Sequence, residues 1–124
     1  MLHNSLFFLS ILFTITSCSK QPGPGGKANI NVHVINGNTN VPESSVYVNY
    51  GGNSFPGESS TGDASIIADQ KGLAVFEDLK RGDYYFFVNH VIDDTIRSGG
   101  AHAVIESRKG EQHYVIDLSE EDPF

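Results

Sequence analysis

This chain is short of the residues on which many small proteins depend. Its 124 residues contain one cysteine, one methionine and no tryptophan. A single thiol, Cys18, excludes an internal disulfide and a cysteine-based zinc site. No long stretch keeps a helical period, which excludes a helical bundle. Catalytic signatures are missing as well: there is no Gly-x-Ser-x-Gly elbow and no phosphate loop ending in Lys-Ser/Thr. Positive charge is scarce, with 8 Lys and Arg against 15 Asp and Glu, a net charge of −7. That balance argues against nucleic acid and against anionic lipid head groups as partners. One domain fits this length and two do not.

What is present begins with an apolar run, Leu6-Phe7-Phe8-Leu9-Ser10-Ile11-Leu12-Phe13-Thr14-Ile15, followed by the small residues Thr16-Ser17. It is too short to cross a hydrocarbon core, which needs about 20 apolar residues, and it reads as an export signal with its cleavage site. The following Ile15-Thr16-Ser17-Cys18 resembles a bacterial lipobox. That resemblance implies cleavage before Cys18 and transfer of a diacylglyceryl group to its thiol. Each buried methylene then adds about 0.8 kcal/mol of membrane affinity, so two or three chains anchor far better than one. Met1-Leu2-His3-Asn4-Ser5 carries no Lys or Arg, which departs from the usual signal and leaves an ordinary secretory signal as the alternative. Every charged residue lies within 18–124, so the net charge of −7 survives cleavage. The expected location is the bacterial cell envelope, membrane-anchored, facing the periplasm or the surface.

Ser19 to Lys27 is dense in Pro and Gly and reads as a tether, with residues 18–27 holding the domain about 30 Å from the bilayer when extended. Gly25-Gly26-Lys27 lacks the spacing of a phosphate loop, and Pro24 removes a backbone donor. From Ala28 the period becomes two. Ile30, Val32 and Val34 alternate with Asn31 and His33, and Val46, Val48 and Tyr50 alternate with Tyr47 and Asn49. Asn36 to Asn40 is a turn, residues 51–62 form a long polar loop, and Ser65 to Ala68 is a weak strand. Ala74 and Phe76 mark a fourth strand and Tyr84, Phe86 and Val88 a fifth. Ala101 to Glu106 and Gln112 to Leu118 supply two more. Seven short strands separated by turn residues predict an all-β sandwich over 28–118, ahead of an acidic tail at 119–124.

One stretch is more specific: Asp69-x-x-Gly72-x-x-x-Phe76-x-x-Leu79-x-x-Gly82-x-Tyr84-x-x-x-Val88. With Val41-Pro42-Glu43-Ser44-Ser45-Val46-Tyr47-Val48 upstream, it resembles the carboxypeptidase regulatory-like and transthyretin-like (prealbumin-type) domains, over residues 28 to 118. The resemblance implies a single Ig-like or transthyretin-like β-sandwich. In it Gly72 closes a hairpin, Phe76 enters the core, Leu79 plugs the corner, Gly82 permits the turn and Tyr84 forms a tyrosine corner. Such domains are non-catalytic modules of exported proteins, which implies a structural or partner-docking role and no enzyme activity.

Site candidates outside Cys18 are few. Tyr47, Tyr85 and Phe87 fall opposite the expected core positions. They either meet a loop such as 51–62 or form a docking surface for an envelope protein or a glycan. His33, His90, His102 and His113 have no ligand spacing, and Asp93-Asp94 is an acidic pair at a strand end, so no metal and no cofactor is expected. A metal-binding protein is the last alternative, after a carbohydrate-binding accessory lipoprotein. His33 and His113 would approach only if the first and last strands are neighbours. Asp94-Thr95-Ile96 resembles the Asp-Ser/Thr-apolar O-glycosylation motif of Bacteroidota envelope proteins.

Overall fold

The computed structural model describes residues 21–57 and 60–119. The signal at 1–17, Cys18 and residues 120–124 of the acidic tail lie outside them. Eight strands follow in order: β1 (Pro24–Asn36), β2 (Thr39–Asn40), β3 (Ser45–Tyr50), β4 (Ala64–Ile67), β5 (Leu73–Leu79), β6 (Gly82–Ile92), β7 (Thr95–Ile105) and β8 (Lys109–Asp117). They make two four-stranded sheets, so the fold is an all-β sandwich. The added strand, β2, is a two-residue pairing within the expected Asn36–Asn40 turn.

In the first sheet β1 is central, antiparallel to β2 and β5 and parallel to β8. The second runs β4-β3-β6-β7, antiparallel throughout. Alternation determines which side chains meet. Ile30, Val32 and Val34 of β1, with Phe76 and Ile116, face Val46, Val48, Phe86 and Val88 across the sandwich. Phe76 and Phe86 lie at its middle, with ring centroids 4.9 Å apart. Burying each such side chain contributes about 1.5–3 kcal/mol, and this core has no disulfide behind it.

Two expectations need correction. Asp69 to Gly72 does not close a hairpin, because β4 and β5 belong to different sheets. The turn is instead held to β1, where the Val34 N–H donates to the Gly72 carbonyl at 2.8 Å. Nor is the Pro/Gly stretch all tether. β1 starts at Pro24, which pairs with Leu79, and Gly23 is buried. Alternating side chains could not announce this part of the strand, since Gly26 has none to alternate. Its missing side chain is the reason it fits: a Cβ there would sit 2.1 Å from the Leu79 carbonyl oxygen.

Candidate functional site

Tyr47, Tyr85 and Phe87 stand together on the outer face of the second sheet, but they are not an open surface. Phe87 is 0% exposed and Tyr85 only 6%, while Tyr47 is half-buried. Tyr47 stacks on Phe87 at 5.4 Å, and Phe55 from the loop after β3 meets Phe87 edge-on at 6.0 Å. Beside them the Tyr85 ring lies over β7, where a Cβ on Gly100 would reach within 2.4 Å of the Tyr85 hydroxyl. A glycine facing an aromatic across a pair of strands is a recurrent way to bury both. Burial also raises the Tyr85 phenol above its ordinary pKa. The docking-surface alternative is thus corrected for Phe87 and Tyr85, because the returning loop covers this face as a small second core. A sugar platform needs rings open to solvent, and these two are closed.

At one end of the sandwich Tyr84 makes the corner that the sequence pattern implies. Its hydroxyl donates to the Lys80 carbonyl at 2.6 Å and accepts from the Gly23 N–H at 2.8 Å. The Gly23 carbonyl in turn accepts from the Lys80 N–H at 2.8 Å. One buried hydroxyl therefore ties the β5–β6 corner to the incoming chain. Desolvation is the main reason its pKa is raised.

The same end gathers the scarce positive charge. Lys27 at the start of β1, Lys80 and Arg81 in the corner, and Arg108 and Lys109 before β8 line an open cleft of about 930 Å³. These are 5 of the 8 lysines and arginines in the chain. Gly25, Gly26 and Gly82 form its floor, and among the described residues no Asp or Glu lines it. None of the five takes part in an ion pair among the described residues, whose one such contact joins His102 to Asp83 at 3.1 Å. Net charge concealed this cleft. Its signal in the sequence is a pair of basic dipeptides, Lys80-Arg81 and Arg108-Lys109, in two turns that alternate strand direction brings to one end.

The histidines are dispersed. His33 hydrogen-bonds Asn40 at 2.8 Å, and His113 lies against the Asn31 amide at 3.3 Å. Although β1 and β8 are neighbours, His33 pairs with Val115 and His113 with Asn31, so the two rings are out of register. Among the described residues no group of three or more His, Cys, Asp or Glu could hold a metal ion. Asp93 and Asp94 form the β6–β7 turn with φ of 52° and 64°, and Thr95 is exposed beside them.

No protein-family model and no curated protein matches the chain. Among solved structures it is similar to the major pilin subunit of Bacillus cereus, with a TM-score of 0.47 and 12% identity. The match covers 74% of this chain and 30% of that pilin.

Proposed function

We propose that the protein is a lipid-anchored module of the bacterial cell envelope, held by a diacylglyceryl thioether on Cys18. Its sandwich serves a structural or partner-docking role without catalysis. The observation that carries this reading is the union of the lipobox-like Ile15-Thr16-Ser17-Cys18 with the clasp at Gly23. Five residue steps separate Cys18 from Gly23, at most about 18 Å of chain. The anchor would therefore hold the Tyr84 end close to the bilayer, not on the longer leash expected from residues 18–27. Mass spectrometry of the mature N-terminus tests the reading. A diacylglyceryl mass on Cys18, with release of Cys18→Ala from membranes, is the expected result; an unmodified Cys18 overturns it.

A further inference from the structure

We propose that the cationic cleft binds the phosphate of an anionic phospholipid head group at the membrane surface. The charge arrangement is the first argument. Lys27 and Lys109 are register partners in the parallel β1–β8 pair, so two ammonium-bearing side chains stand directly opposite each other. Like charges so placed oppose folding, and no carboxylate lines the cleft to compensate. A locally unfavourable arrangement kept without internal compensation marks a place where an external anion supplies the missing charge.

Chemistry selects the anion. Arg81 and Arg108 offer planar guanidinium forks that match two oxygens of one phosphate, while Lys27, Lys80 and Lys109 add point charges around it. The Lys80 stem passes over Gly25, whose φ of 108° suits glycine, with Cε 3.8 Å from where a Cβ would stand. At about 930 Å³ the cleft is larger than a phosphate ion needs, and its open mouth leaves space for a head group. Position selects the lipid as the source. The cleft shares its end of the sandwich with Gly23, and this choice rests on the reading of Cys18 as the anchor. The chain's net charge of −7 argued against anionic lipids, but no carboxylate among the described residues lines the cleft.

The test uses residues 18–124, the chain left after cleavage of the signal, carrying Cys18→Ser, which cannot be lipidated, so the cleft is assayed apart from both the signal and the anchor. Its partition onto phosphatidylcholine vesicles is compared by co-sedimentation with partition onto phosphatidylcholine doped with phosphatidylglycerol. The expected result is a preference for the doped vesicles that weakens with salt. Each lost cation should cost about fivefold, and Lys27→Glu/Lys80→Glu/Arg108→Glu roughly a hundredfold. Lys71→Glu, at the opposite end, should leave the preference nearly intact. The single variant Lys27→Glu guards against misfolding: it places a carboxylate opposite Lys109, so it should melt no lower than the parent while binding doped vesicles less. Equal partition onto both vesicles, or an unchanged preference in the triple variant, overturns the proposal. So does saturable binding of inorganic phosphate without any vesicle preference, which would make the cleft a soluble-phosphate site. Failure of the anchor is read separately, from the mass of Cys18.

Discussion

The two ends of the sandwich use charge in opposite ways. At the entry end, where Lys27 pairs with Lys109 and Gly82 with Ile105, five cations face a cleft. At the far end, where Asn36 pairs with Thr39 and Ile92 with Thr95, the turns carry Glu43, Asp69, Asp93, Asp94 and Asp117. The far carboxylates have work inside the fold. Asp69 accepts from the Lys71 and Leu73 N–H groups, at 2.8 and 3.0 Å. Asp117 accepts from Gly37 and Ser119 N–H groups, at 3.0 and 2.9 Å. Those backbone donors hold both carboxyls below the ordinary aspartate value of 3.8. Among the described residues, the side chains of the entry-end cations take part in no ion pair. The Asp69 and Asp117 turns are braced by their own carboxylates, whereas the five cations line an open cleft.

The largest expected effect comes from the layer spanning both ends. Phe87→Ala should cost about 3–5 kcal/mol in urea unfolding, because the ring is fully buried between Tyr47 and Phe55. A near-neutral result would restore the aromatic set as an exposed surface. Next, Tyr84→Phe should strike the entry end alone. It leaves the Lys80 carbonyl without its 2.6 Å donor and the Gly23 N–H without its acceptor, a loss of about 1–3 kcal/mol. Hydrogen exchange should quicken at Gly23 and Lys80 while far-end amides keep their protection; uniform exchange would erase the distinction between the ends.

A smaller change should improve the far end. Asp94 holds a φ of 64°, a conformation that costs a non-glycine residue about 1 kcal/mol, so Asp94→Gly should raise the melting temperature. Acid should separate the ends most finely. Asp69 and Asp117 have pKa values below 3.8, so their contribution is present above that pH and lost as the pH falls through their lowered values. Protection of the Gly37, Leu73 and Ser119 amides, measured against the unfolded chain at the same pH, should then fall below about pH 4, with the Tyr84 clasp unaffected. A fall at Gly23 in the same range would show that the ends are coupled.

Much of this architecture is legible from local pattern. Ile30-x-Val32-x-Val34 and Tyr84-x-Phe86-x-Val88 alternate because one face of each strand is buried, and the Asp69 to Val88 spacing places the tyrosine corner. The rest depends on partners distant in sequence. Pro24 to Gly26 carries no apolar alternation, yet it is strand because Leu79 and Tyr84 meet it. Tyr85 and Phe87 alternate outward as a surface residue would, and it takes Tyr47, Phe55 and the bare Gly100 to cover them. Parallel pairing of β1 with β8 has no local signal, because it joins residues some eighty positions apart.

By itself the sequence determined the β class, the strand faces and the corner at Tyr84. These follow from short-range regularities: a two-residue period and turn residues at set spacings. Tertiary structure alone decided where charge resides. Composition is a sum, and −7 says nothing of direction. Strands that reverse at each connection send alternate turns to opposite ends, and here that sorting places Lys80-Arg81 and Arg108-Lys109 beside Lys27, in a cleft that no Asp or Glu among the described residues lines. Pairing across the sheets thus turned a deficit of positive charge into a concentration of it.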